Sequence, residues 1–247
     1  IAGLGADNIG IQCGGWTIEW QGKEGNITQG TTIFNGIAKH IFDNNKDTKV
    51  TFSSDGTGAK NADLVIVVLS EKPYAEWHGD DDKLQLSNIE KELFNNVKAA
   101  GVPIISILLS GRPIIINDQL NKSDAFIAAW LPGTEAGDGI ADILFGDFHP
   151  TGKLSFTWPK DITQVPINIE DKKNSLFPFG YGLSYKLTLK KITTDELTYK
   201  KEAIISYNNM NAIIEEGEKI ANGTIIKINN DHIVFEKDNK VETIYIQ

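Results

Sequence analysis

Leu64-Val65-Ile66-Val67-Val68-Leu69 is an unbroken apolar run, and Pro73-Tyr74-Ala75-Glu76-Trp77-His78-Gly79-Asp80 follows it almost at once. A strand without polar alternation suits a central place in a parallel sheet covered on both faces. Ligands of such sheets gather beyond the carboxyl ends of the strands, so loop 73–80 is expected to face a crevice. Glu76 is then a candidate general acid. Tyr74 and Trp77 are expected to bury its carboxyl and favour the neutral form that proton donation requires. A surface glutamate in a polar loop is the plainer alternative.

Outward from this run, residues 1–185 alternate between strand and helix patterns, the mark of a layered α/β sandwich with a mostly parallel sheet flanked by helices. Ile33, Phe34, Ile37, Ala38, Ile41 and Phe42 form one stripe of a helix over 31–44. Lys49 to Ser53 reads as a strand. Ser87 and Glu90 form a capping box that opens a helix faced by Ile89, Leu93, Phe94 and Val97 and stopped by Gly101 and Pro103. Ile104 to Leu109 is a second buried strand, Asp124 to Leu131 a third, and Thr134 to Phe145 a helix. Gly146 to Tyr185, rich in Pro, Gly and aromatics, reads as a long ordered wrap over the core. Ile1-Ala2-Gly3-Leu4-Gly5 resembles the end of a strand entering a glycine-rich loop, so further chain, and any export signal, is expected upstream.

Beyond Tyr185 the composition shifts to Lys, Glu, Ile and Asn without proline. Alternation in 223–228, 232–237 and 240–247 predicts a β-meander, with a short helix around Ala212 to Ile220. Residues 186–247 are therefore expected to form a small β-rich unit, either structural or an interaction module.

Composition narrows the partners. The 247 residues are 40% hydrophobic and 23% charged, ordinary for a globular chain, and a net charge of −9 disfavours nucleic acid or an anionic membrane surface. No apolar run reaches the roughly 20 residues of a membrane span. The single cysteine, Cys13, excludes an internal disulfide and reads as a small packed residue.

The loop Cys13-Gly14-Gly15-Trp16-Thr17-Ile18-Glu19-Trp20-Gln21-Gly22 holds two indoles four residues apart. Aromatic planes match the C–H faces of a pyranose, and Thr17, Glu19 and Gln21 are candidate hydroxyl partners, so Trp16 and Trp20 are candidate sugar-binding residues. Two core tryptophans beside a turn remain the alternative. Asp80-Asp81-Asp82 lacks further spaced oxygen ligands and reads as a solvated turn, leaving no metal site and no cofactor in the reading. Arg112 follows a strand and reads as a buried pairing that fixes loops, His78 as solvent-facing beside Glu76, and His149 and His232 as lacking evident partners. Asn26, Asn121 and Asn222 begin short glycosylation-type patterns that arise often by chance.

Taken in order, Gly3 to Asn8, Cys13 to Gly22, Glu71 to Asp80, Ser110-Gly111-Arg112-Pro113, Ala129 to Glu135, Leu144 to Asp147, Gly152 to Pro159 and Leu176 to Tyr185 resemble the carboxyl-terminal α/β sandwich domain of family 3 glycoside hydrolases, the β-glucosidase and exo-glucanase group. The tail from 186 lies outside the resemblance. It implies that Glu76 is the general acid/base, that Trp20 clamps the sugar on the leaving-group side, and that Trp16 lines or underlies the same pocket. Members resembling this chain are retaining enzymes, whose two carboxyl groups stand about 5 to 5.5 Å apart. Their nucleophile is an aspartate, usually followed by tryptophan, on an amino-terminal (β/α)8 barrel. The five tryptophans here follow Gly15, Glu19, Glu76, Ala129 and Thr157, so no Asp-Trp occurs. Lys39-His40 imitates the barrel's Lys-His pair but falls on an amphipathic helix.

The implied role is thus the acid/base-bearing domain of an exo-acting enzyme that removes terminal β-D-glucosyl residues once a barrel is supplied in cis or in trans, inactive alone. Its partners would be β-linked glucosides or oligosaccharides and that barrel, and its implied location extracellular or periplasmic. A non-catalytic carbohydrate-binding or scaffold domain is the rival. The family's N-acetylhexosaminidases keep their acid/base on the barrel and would not need Glu76.

Overall fold

The computed structural model describes residues 1–148, 150–171, 174–183, 187–194, 198–207, 210–221, 223–237 and 239–246. His149, Ser184, Tyr185, Asn222 and Gln247, all of which carry sequence readings, lie outside the described residues. Two compact units are present, Ile1–Ala141 with Leu154–Tyr181, and Asp142–Lys153 with Gly182–Gln247.

From the start of the chain the elements are α1 (Ile9–Cys13), α2 (Ile33–Asn44), β1 (Val65–Ser70), α3 (Asn88–Lys98), β2 (Ile104–Leu109), α4 (Asn117–Lys122), β3 (Ala125–Trp130) and α5 (Ala136–Phe145). The three strands form a parallel sheet in the order β1-β2-β3. Every residue of β1 is buried, as the unbroken apolar run requires. Val65, Val67 and Leu69 pack with Leu93, Phe94 and Val97 of α3 and with Ile104 and Leu108 of β2. Ala2 extends the sheet beyond β1 by parallel bridges to Val67 and Ser53, donating to the Ile66 carbonyl at 2.8 Å and accepting from Val68 N at 2.8 Å. A Cβ on Gly3, whose φ is +101°, would stand 2.3 Å from the Val68 carbonyl, so only glycine allows this approach.

The expected strand 49–53 is not formed; Ser53 alone pairs, with Ala2. Asp55 ends the extension, its carboxylate accepting from Ser53 Oγ, Thr57 N and Thr57 Oγ1 to close a local turn. The aromatic-rich segment folds back on itself through Trp158 and Phe177. Trp158 is 2% exposed and its indole donates to the Ile114 carbonyl at 2.8 Å, so the wrap contributes directly to the core.

Helix α3 begins as the capping pattern predicts, with Ser87 Oγ accepting from Glu90 N at 3.2 Å. The second half of the expected capping box is absent, because the Glu90 carboxylate turns instead to the end of β1, accepting from Ser70 N at 3.0 Å and Ser70 Oγ at 3.2 Å. Burial of Glu90, only partly offset by these bonds, pushes its pKa up to about 7.

In the second unit β4 (Thr188–Thr194), β5 (Lys201–Tyr207) and β6 (Met210–Ile214) form one antiparallel sheet. The other contains β7 (Lys219–Ile220), β8 (Gly223–Ile228), β9 (His232–Lys237) and β10 (Lys240–Tyr245), in the order β10-β9-β8-β7. Leu189, Ala203, Ile205, Ile225, Ile228, Ile233 and Phe235 make its core. The meander 223–246 is present, but the expected helix 212–220 is replaced by β6, a turn at Gly217 (φ +89°) and β7. Pairing of Ile213 with Ile204 and Ile214 with Ala203 overrides the weak helical pattern. His232 does have partners, Asp231 Oδ1 and Asn229 Nδ2, each at 2.7 Å. Among the described residues no helix is long and apolar enough to cross a membrane.

Candidate active site

Two loops of the first unit interlock beyond the carboxyl end of β1. The first is the glycine-rich turn 13–22, closed by Trp16 N on the Trp20 carbonyl at 3.0 Å and Glu19 N on the Thr17 carbonyl at 2.8 Å. The second is the segment 71–80, in which extended Ala75 leads into a short 3-10 turn over Glu76–Gly79. A Cβ on Gly15 would lie 2.2 Å from the Tyr74 carbonyl, and one on Gly22 would lie 2.7 Å from Pro73 Cβ, so the glycines let the backbones meet. Gln21 Oε1 accepts from Ala75 N at 2.9 Å, tying the turn to the residue before Glu76. For Gln21, a candidate sugar ligand by sequence, the oxygen is thus used inside the protein, while Nε2 is buried without a partner.

The two loops together present an aromatic surface. Trp20 meets Trp77 edge-on with ring centroids 5.2 Å apart, Trp16 lies 6.3 Å from Trp20, and the His78 ring is 6.1 Å from Trp20. Trp16 is 69% exposed, Trp77 61% and Trp20 40%, so none of them is a core tryptophan. The sequence marks Trp77 only as a cover for Glu76; it is instead a wall of this surface, which its adjacency to Glu76 could have suggested. Trp16, Ile18 and Glu76 have φ of +63°, +64° and +51°, a left-handed conformation that costs a non-glycine residue of order 1–3 kcal/mol.

Glu76 is exposed, so the expected burial between Tyr74 and Trp77 does not occur in this chain. Tyr74 turns away to another cluster. Its hydroxyl donates to Glu71 Oε2 at 3.0 Å, and Arg112 stacks over its ring at 4.6 Å. Burial, reinforced by the Glu71 charge, raises the Tyr74 pKa and keeps the phenol a donor. Arg112 Nε and Nη2 donate to Glu71 Oε1 at 3.1 and 2.8 Å, Ser110 Oγ donates to Glu71 Oε2 at 2.7 Å, and Arg112 Nη1 donates to the Gly79 carbonyl. The pairing expected of Arg112 is therefore present, and its partner is Glu71, which no local spacing signals. Lys39 pairs with Asp43 at 2.9 Å on α2, and Asp81 accepts from Lys83 N at 2.8 Å in a local turn. Among the described residues no group of three or more His, Cys, Asp or Glu side chains converges as a metal site.

The Glu76 loop is thus tied to an exposed tryptophan surface beyond the carboxyl end of β1, the position at which α/β sheets take ligands. Residues 1–185 match the model of the glycosyl hydrolase family 3 C-terminal domain, and the chain belongs to that family. A beta-xylosidase of Formosa agariphila is 36% identical over 157 residues, 55% of this chain and 22% of the relative. The lysosomal beta glucosidase of Dictyostelium discoideum is 32% identical over 209 residues, 75% of this chain and 25% of the relative. The chain thus spans about a quarter of the length of these curated relatives. In a crystal structure of the exo-1,3/1,4-beta-glucanase of a Pseudoalteromonas species the likeness covers 95% of this chain and 33% of that one, with TM-score 0.67 and 31% identity. That coverage takes in much of the β-rich tail, which the sequence resemblance left out.

Proposed function

We propose that this chain is the acid/base-bearing domain of a retaining, exo-acting β-glucosidase-type enzyme that hydrolyses terminal β-D-glucosyl residues when combined with a (β/α)8 barrel supplying the nucleophile. Glu76 protonates the departing glycosidic oxygen and then takes a proton from water as the glycosyl-enzyme intermediate is hydrolysed. Trp20, with Trp16, stacks on the sugar of the leaving-group side. The observation that carries the reading is the lock between the loops: Gln21 holds Ala75 N at 2.9 Å and Trp20 meets Trp77 at 5.2 Å, so both chain neighbours of Glu76 are tied to the turn that bears Trp16 and Trp20. Exposure of Glu76 is compatible with this role, because in the proposed enzyme the barrel forms the opposite wall and supplies the desolvation that this chain alone does not.

The test is hydrolysis of aryl and alkyl β-glucosides, and of aryl β-xylosides in view of the Formosa relative, by the chain alone, by the chain with a family 3 barrel, and by Glu76→Ala in the same combination. Expected are no turnover by the chain alone, activity with the barrel, and a loss in kcat/KM of about 10²–10⁴-fold for Glu76→Ala on alkyl glycosides with much less on activated aryl glycosides. Equal loss on both substrate classes refutes the acid/base role. Sugar binding without any turnover in the combined protein favours the non-catalytic domain.

A further inference from the structure

We propose that Arg112 is a positioning residue for the proton donor, its guanidinium fixing both ends of the segment that carries Glu76. This rests on the reading of Glu76 as the acid/base. The fork makes three bonds in two directions: Nε and Nη2 hold Glu71 at the start of the segment, and Nη1 holds the Gly79 carbonyl at its end. Between these points the guanidinium carbon Cζ lies 4.6 Å from the Tyr74 ring centroid, and Tyr74 in turn donates to the same Glu71 carboxylate. Ser110 Oγ also donates to the second Glu71 oxygen, so the carboxylate is engaged at both oxygens and cannot swing toward the substrate side.

The arrangement reaches Glu76 only through the backbone, since none of these bonds uses its carboxyl. A glutamate at φ +51° returns to an ordinary conformation unless its flanks are over-determined. Arg112 supplies that constraint from residues 71, 74 and 79, and Gln21 supplies it at Ala75. Both members of the ion pair are mostly buried, with the Arg112 side chain 24% exposed and Glu71 12%, so solvent competes weakly for the fork. Lysine offers one ammonium in place of three directed donors and cannot span both ends of the loop.

The experiment compares the parent with Arg112→Lys and with the double variant Arg112→Gln/Glu71→Gln, which removes the fork without stranding a buried charge. Each is combined with a family 3 barrel, and Glu76→Gln serves as reference. Expected for both fork variants is a kcat/KM on alkyl β-glucosides lower by on the order of 10- to 100-fold, near-parent kcat/KM on activated aryl β-glucosides, whose first step needs little protonation, and faster amide exchange across residues 75–80. A parent-like ratio between the two substrate classes in folded variants, or equal loss on both, overturns the inference. If Glu76→Gln itself fails to discriminate between the classes, the acid/base reading falls instead. Amide exchange then still decides the clamp, and unchanged protection of 75–80 in both variants overturns it.

Discussion

Glu90 should make the first unit less stable as pH rises toward neutrality, and Glu90→Gln should remove that dependence. Glu90 is 6% exposed and, among the described residues, its carboxylate receives two bonds, both from Ser70. Its pKa in the folded chain rises from 4.5 to about 7. The folded value lies above the unfolded one, so the contribution to stability is complete below about pH 4.5 and is lost as pH climbs through about 7. At about 1.4 kcal/mol for each tenfold change in proton affinity, the loss amounts to ~3 kcal/mol. Glutamine keeps the shape: its oxygen accepts from Ser70 N, and its amide donates to Ser70 Oγ. Urea or thermal unfolding from pH 4.5 to 8 should show the variant gaining on the parent with rising pH, by up to ~10 °C in Tm at the alkaline end at about 2 to 4 °C per kcal/mol. Because all other titrating groups are common to both proteins, the difference isolates Glu90. A difference that stays constant with pH, or widens toward acid, refutes the argument.

Three further outcomes are expected. Gly36→Ala should destabilise the first unit by about 1–3 kcal/mol, because the new Cβ would stand 2.2 Å from the Gly137 carbonyl and force α2 from α5; urea unfolding reads it. Cys13, buried with its thiol pKa raised by desolvation, should resist an aromatic disulfide reagent in native chain and react at once in denaturant; rapid native labelling contradicts its placement. Trp20→Ala should weaken binding of a β-linked disaccharide by about 1 kcal/mol or more, followed by quenching of the remaining tryptophans, while leaving unfolding of the chain nearly unchanged; a variant that binds as well as the parent removes Trp20 from the site.

Features set by continuous patterns are legible in the chain. The apolar runs at 65–70 and 104–109 need no partner information to read as buried strands, and the stripes of α2 and α3 repeat at the helical period. Legibility ends where a distant contact decides. Lys49 to Ser53 has suitable residues, but among the described residues Ser53 alone forms a β-bridge, with Ala2. Ala212 to Ile220 contains enough Ile, Glu and Lys to suggest a helix, yet pairing with β5 is long-range and invisible locally. Glu90 satisfies the capping-box spacing while its carboxylate is committed to Ser70, 20 residues away. At the site the pattern is similar: Trp16 and Trp20 announce an aromatic surface, but Trp77 as its third wall, Gln21 as a tether and Glu71 as the counterion of Arg112 all depend on contacts between segments far apart in the chain.

The left-handed residues Trp16, Ile18 and Glu76 carry one more consequence. Replacing an exposed residue of this kind by glycine or asparagine relieves its left-handed strain, so laboratory evolution for thermal endurance should find Ile18 early. The same relaxation would let the indole turn sample other shapes. Endurance and turnover should therefore trade against each other first at this turn, long before either responds to changes in the parallel sheet.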